Sequence, residues 1–223
     1  MEIMSKRRQF KQHAEGIAAA FFSPLLIPYA LTDQKAVIAL DVTRWSKELD
    51  RPDRNAIVEM LRLLVGYPEF RTLFYHRMRC GNLAGSLLSI AAKLIYRGRT
   101  ALYLNCPDIG PGLFLQHAWS TGVGAKSIGK NCWINQQVTI GHTDRSHGPI
   151  IGDNVFIHAG AKVLGPIRIG DNVKIGANAL VLKDIPDNSV VIGALPSVLR
   201  RSEKKPAASA ESKEVTGELT AAK

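Results

Sequence analysis

The stretch IGDNVFIHAGAKVLGPIRIGDNVKIGANALV, Ile151 to Val181, places an aliphatic residue at every sixth position: Ile151, Ile157, Val163, Ile169, Ile175 and Val181. Gly152, Gly170 and Gly176 stand directly behind three of them. That period fits neither the 3.6 of a helix nor the 2 of an ordinary strand. It is the spacing of a β-helix, in which each unit is a short strand and a turn, and three units close one coil. Residues one coil apart then stack about 4.8 Å above one another. Ile151 is expected under Ile169, and Ala159 under Ala177.

The repeat runs backwards through Ile140, Ile134 and Ile128, and more faintly to Leu115 and Ile109. Its frame slips by one residue near Thr121 to Gly124, and again across Gly141 to Ile150. A break in so strict a frame marks a loop leaving the prism, and loops carry function. Histidines crowd both breaks.

Length and charge set outer bounds. A chain of 223 residues has room for one domain with an appendage or for two small domains, with a sizeable core. The formal charge is +10, from 29 Lys and Arg against 19 Asp and Glu, which points to anionic partners. The basic residues are spread out and accompany no zinc-finger or aromatic RNA-binding pattern, so nucleic acid is not the expected partner. A phosphorylated co-substrate satisfies the charge equally well. Lys6 to Lys11, Arg200, Arg201, Lys204 and Lys205 flank the core as solvated ends.

Cys80, Cys106 and Cys132 are odd in number and lack CxxC spacing, which argues against a disulfide framework and for a reducing compartment. Gly16 to Thr32 is apolar and follows four basic residues. Pro24 and Pro28 interrupt it, it falls short of about 20 apolar residues, and no small-x-small cleavage site follows. The expectation is a cytoplasmic protein without a membrane span, whether in solution or at a surface.

Three zones emerge. Residues 1–100 read as helical: Asp50 or Asp53 caps a helix with Ile57, Met60, Leu61, Leu64 and Val65 on one face. Gly66-Tyr67-Pro68 stops it, a second helix runs from Pro68 to Met78, and a more apolar one from Leu83 to Ile95. The β-helix occupies 101–195. The tail, 196–223, is basic, poor in apolar bulk and expected to be disordered.

Hexads such as IGDNVF, IGDNVK and IGANAL resemble the hexapeptide-repeat acyltransferases, and this likeness implies a left-handed coil. Spacing alone does not, because parallel crossovers are overwhelmingly right-handed. Within that superfamily the chain is most similar to the serine acetyltransferases, through YPEFRTLFYHRM (Tyr67 to Met78), IGPGLFLQHA (Ile109 to Ala118), NQQVTIG (Asn135 to Gly141), HAGAKVLGPIRIGDNVKIGANALVL and DIPDNSVVIGALP. The implied fold is α+β: a helical N-terminal region, a left-handed parallel β-helix and a disordered C-terminal tail.

The resemblance implies an O-acetyltransferase that converts L-serine and acetyl-CoA to O-acetylserine and CoA, as in cysteine biosynthesis, with acetyl-CoA as co-substrate and no metal. The family's catalytic histidine falls at His117, where an imidazole can take the proton of an attacking alcohol near neutral pH. A second family histidine corresponds to His147 in Asp144-Arg145-Ser146-His147, and Arg145 to the arginine that grips a substrate carboxylate. Here Ser146 separates the two, which are adjacent in the family. His142 stands where the family has glycine, and Gln116 replaces an acceptor-facing aspartate; both are assigned to the substrate site. The aspartate that orients the imidazole falls at Leu102. These changes leave the chemistry better matched than the acceptor, and a sugar hydroxyl of a surface polysaccharide is the alternative. For the co-substrate, the superfamily's groove needs small stacked residues, supplied here by Ala159, Gly160, Gly176 and Ala177. Lys174, Lys183 and Arg200 are assigned to the phosphates. A homotrimer, or a dimer of trimers, is the implied assembly.

Two readings from other classes stand beside this one. A zinc-dependent β-helix resembling carbonic anhydrases would use three of His117, His142, His147 and His158, though their spacing does not match that group. A non-catalytic scaffold would consume no thioester. Cys106 and Cys132 read as buried small hydrophobes rather than nucleophiles.

Overall fold

The structure, a computed structural model, describes residues 16–51, 55–143 and 147–193. The expected tail and the basic residues at both chain ends lie outside these.

Residues 16–22 are helical and pass through a 3-10 turn (Ser23–Leu25) into a series of helices: α1 (Leu26–Leu31), α2 (Lys35–Glu48), α3 (Ala56–Gly66), α4 (Pro68–Cys80) and α5 (Leu83–Ile95). Asn55 caps α3, its side chain accepting the Ile57 N–H at 3.0 Å. Asp50 instead sits past the end of α2 in a left-handed turn, and Asp53 lies outside the described residues. The face of α3 also differs from its expected one. Met60, Leu63 and Leu64 are buried whereas Ile57 is exposed, because α2 and α4 cover the side centred on Leu63. Gly66 does end α3, and Pro68 opens α4 at the first turn, where a missing N–H costs nothing. Helix α4 continues to Cys80, two residues past the expected stop.

Among the described residues fourteen short strands follow, β1 (Leu102–Leu104) to β14 (Val190–Val191), all pairing in parallel. They form three sheets: A (β1-β4-β7-β10-β13), B (β2-β5-β8-β11) and C (β3-β6-β9-β12-β14). This is a parallel solenoid of about five coils. The hexad residues stack inward as expected: Ile151 pairs with Ile169, Ile157 with Ile175, and Val163 with Val181. Each is at most 2% exposed, and with Val155, Ala161, Val173 and Ala179 they fill the prism's axis. At the B-to-C corner Asn131, Asn154, Asn172 and Asn188 adopt left-handed φ, which Asn tolerates better than most residues. Asn154, Asn172 and Asn188 hydrogen-bond one another up the stack at 3.1 and 3.0 Å. Glycine is required just before this corner: a Cβ on Gly170 would meet the Asp187 backbone nitrogen at 2.6 Å.

A buried clamp fastens the helices to the first coil. Arg77 of α4 pairs with Asp41 of α2 at 2.8 and 3.2 Å and also donates to the carbonyls of Ile109 and Gly110. Asp41 in turn accepts the Gly112 N–H at 2.7 Å. Burial raises the Asp41 carboxyl above its ordinary range, although Arg77 and two backbone N–H groups pull the other way. Nearby, Trp45 donates to the Leu113 carbonyl at 2.9 Å and heads an aromatic column, Phe114, Trp133 and Phe156, along sheet C.

Candidate functional site

The first frame slip has a local cause. Backbone N–H groups of Gln116, Asn135, His158 and Gly176 donate to Ile134, Ile157, Ile175 and Val191, so these four residues are equivalent positions at the C-to-A corner. Gln137, Gly160 and Asn178 donate to Trp119, Gln136 and Ala159, which makes those three acceptors equivalent as well. In the later coils the two positions are consecutive. In the first coil His117 and Ala118 lie between them, a two-residue bulge. The extra length therefore precedes Thr121, where the sequence pattern had placed the slip, and one residue is lost again between Val123 and Ile128.

The bulge turns Ala118 into the core and His117 outward, exposed, in a left-handed conformation with φ of 51°. Such conformations cost on the order of 1–3 kcal/mol for a non-glycine residue and concentrate at functional sites. Up the same corner stand Asn135 and Gln136, then His158, Ala159 and Gly160, then Gly176 and Ala177. Ala159 is under Ala177 as expected, tied through the Asn178 N–H to the Ala159 carbonyl at 2.9 Å. Lys174 precedes this corner on the outer face of sheet C, in register with Phe156. The structure thus brings Gln116, His117, Ala159, Gly160, Lys174, Gly176 and Ala177 to one edge of the prism.

The second slip opens the loop after β7 (Thr139–Gly141), at the A-to-B corner. His142 and His147 both line a cavity of about 570 Å³ there, with Arg79, Asn105 and Lys126. Gly148 is buried against the first slip's neighbour: a Cβ there would fall on the Gly124 carbonyl. Arg79 and Lys126 escaped the sequence reading because they come from different parts of the chain, Arg79 from α4 and Lys126 from the turn after β4. Their one signal was that Arg79 directly follows the Tyr67 to Met78 motif.

Within one chain His117 and His147 therefore occupy different corners. Lys183, past β13, lies at the A-to-B corner and not beside Ala177. Arg145 and Arg200 lie outside the described residues. Leu102 points into the core at 5% exposure and can hold no imidazole. Cys106 and Cys132 are buried, and burial pushes their thiols up to about 11 and about 12, so neither is a thiolate near neutral pH. Among the described residues no three His, Cys, Asp or Glu side chains converge as a metal site, and no helix is long and apolar enough to cross a membrane.

Comparison with known proteins matches residues 148–183 to the bacterial transferase hexapeptide family (six repeats). A serine acetyltransferase of Synechococcus elongatus is 36% identical over 162 residues, 70% of this chain and 65% of the relative. Another, from Mycobacterium tuberculosis, is 35% identical over 158 residues, 66% of this chain and 67% of the relative. The chain thus spans about two thirds of the length of these relatives. Among solved structures, a serine acetyltransferase of Neisseria gonorrhoeae in complex with serine superposes with a TM-score of 0.55 at 26% identity, covering 76% of this chain and 70% of that one.

Proposed function

The chain belongs to the serine acetyltransferase family, and from that premise we propose that it transfers the acetyl group of acetyl-CoA to the hydroxyl of L-serine. The observation that carries the reading is the His117 bulge at the head of a corner whose last two coils present small side chains at Ala159, Gly160, Gly176 and Ala177, beside His158. An extended pantetheine arm laid along that edge would bring its thioester to the imidazole. His117 would take the hydroxyl proton as the oxygen attacks the thioester carbon. Collapse of the tetrahedral intermediate would then expel CoA thiolate, to which the proton passes.

Arg145 is assigned to the substrate carboxylate, and His147, near it in sequence, to positioning the acceptor or stabilising the developing oxyanion. Because His147 sits at another corner of its own chain, this role is filled across an interface, the A-to-B corner of a neighbour meeting the C-to-A corner that bears His117. A closed trimer of prisms provides that arrangement three times. It would also cover apolar residues that stand outward on the prism, among them Leu180, Leu182 and Val190. Lys183 would then reach the phosphates from the neighbour's corner, and Lys174 from the same chain.

A second reading, transfer to a sugar hydroxyl, is favoured by one observation: Gln116 stands beside His117 where the family has the carboxylate that faces a serine ammonium, while Leu102, in the core, replaces the one that orients the imidazole. Thiol release from acetyl-CoA, followed with L-serine, homoserine and a panel of sugars, separates the two acceptors. His117→Ala should lower the rate with the true acceptor by about two or more orders of magnitude. An unchanged rate would refute the assignment.

A further inference from the structure

Helix α5 is built inside out. An ordinary surface helix turns its large apolar residues toward the core and small or polar ones to water. Here Gly85 and Ser89 are the buried residues, with Ala92 partly buried, while Leu83, Leu87, Ile90 and Leu94 face solvent along one stripe at 74%, 58%, 61% and 77% exposure. The small face is needed for close packing: a Cβ on Gly85 would already touch Thr32 at 3.1 Å. On the neighbouring elements Phe21, Ile27 and Leu31 are exposed too, and exposed apolar area of this kind marks a contact surface.

Cations gather at the C-terminal half of this stripe, while the one acid beside its other end is Asp33, which accepts the Asn82 N–H at 3.1 Å. From Phe70 to Pro107 the sequence contains no Asp or Glu. A cavity of about 750 Å³ opens beside the last turns of α5, lined by Ile90 and Leu94 and by the cations Arg79, Lys93, Arg97 and Arg99, with no carboxylate. Arg79 is engaged with the Leu104 carbonyl, and Arg99 reaches Glu69 at 3.4 Å. Among the described residues no carboxylate comes within ion-pair distance of Lys93 or Arg97.

We infer that α5 docks this protein on an anionic phospholipid surface, its leucine and isoleucine stripe entering the acyl boundary while Lys93 and Arg97 meet headgroup phosphates. The helix is 13 residues long, about 20 Å, too short to span a bilayer but suited to lying in its interface. A second copy of the chain is the disfavoured occupant. A two-fold contact centred on Ile90 and Leu94 would set Lys93 and Arg97 near their own images, because Asp33 stands at the opposite end of the helix. The inference stands independently of the acetyl acceptor.

The full chain is tested by co-sedimentation with vesicles of phosphatidylcholine alone and of phosphatidylcholine containing phosphatidylglycerol. Retention is expected only on the anionic vesicles and should weaken with added salt. Lys93→Glu/Arg97→Glu and, separately, Ile90→Glu/Leu94→Glu should each lower the partition coefficient about tenfold or more. All four side chains lie on the surface, so thiol release is expected to persist in both variants. In a Leu87→Trp variant the emission should shift to the blue on anionic vesicles alone. Failure to sediment overturns the inference. So does retention that neither pair of substitutions reduces, which would assign binding to the basic chain ends. Light scattering that shows Ile90→Glu/Leu94→Glu splitting a larger oligomer without lipid would assign the face to a second copy.

Discussion

Removing one partner of the Asp41–Arg77 clamp should cost far more than an exposed ion pair would. Both side chains are almost wholly buried, at 1% and 4% exposure, and water cannot replace the lost partner. Asp41→Ala strands the Arg77 guanidinium in the interior and leaves the Gly112 N–H without its acceptor. Breaking a buried pair from one side costs about 3–5 kcal/mol, which for a chain of this size corresponds to roughly 10 °C in Tm. Asp41→Leu/Arg77→Met tests the cause. Burial already opposes the charge on Asp41, so deleting both charges should cost about 2–3 kcal/mol less than the two single substitutions added together. Some loss must remain, because the Ile109 and Gly110 carbonyls lose their donor. Denaturant unfolding of the parent, Asp41→Leu, Arg77→Met, the double variant and Asp41→Ala measures this, and thiol release measures the consequence for the first coil, which carries His117. Strict additivity, or a loss under about 1 kcal/mol for Asp41→Ala, would show that the clamp does not hold the helices to the prism.

Burial, reinforced by Arg77 and Arg79, pushes His76 down to about 4 from an ordinary value of 6.5. The unfolded chain then takes up a proton that the folded one refuses, so this contribution is complete above pH 6.5 and is lost as pH falls toward 4. It amounts to about 3 kcal/mol, and urea titrations of His76→Gln should show a flatter stability profile over that window; an unchanged slope would count against it. Gly148→Ala would press a methyl group against the Gly124 carbonyl and displace His147, so kcat should fall about tenfold while Tm moves by only a few degrees; an intact kcat would dissociate this loop from the chemistry. Ala177→Leu fills the small-residue edge at an exposed position and should raise KM for acetyl-CoA by about tenfold without lowering Tm. A KM shift for the acceptor instead would reassign that edge.

The prism was legible because its period reports a single geometric fact, the inward position, six times over between Ile151 and Val181. The loop that carries His142 and His147 was legible for the same reason, as a break in that period. The helices were found, but not their faces or caps. Asn55 competes with Asp50 and Asp53 for the cap of α3, and only tertiary packing decides among them. In α5 hydropathy identifies an apolar helix, yet the usual rule that large side chains face inward gives the wrong side. What turns it is the close approach of Thr32 to Gly85, fifty-three residues apart in the chain. The Asp41–Arg77 clamp belongs to the same class: nothing near either residue in sequence names the other.

The relation between His117 and Ala159 was hidden by the regularity that exposed the fold. Stacked residues in the undistorted coils are eighteen apart, as Ile157 and Ile175 are, and that spacing finds Ala159 and Ala177 at once. His117 lies forty-two residues before Ala159, which is no multiple of eighteen, because the two intervening coils advance by nineteen and twenty-three. Family likeness supplied the histidine and periodicity supplied the alanines. Only the backbone ladder through Gln116, Asn135, His158 and Gly176 puts them on one edge. The loop after Gly141 and the bulge together obscured the register, and it is the bulge that turns the imidazole out of the wall. An uninterrupted hexad at that corner would have been easier to read and would have left Trp119 directly after Gln116, with no exposed base between them.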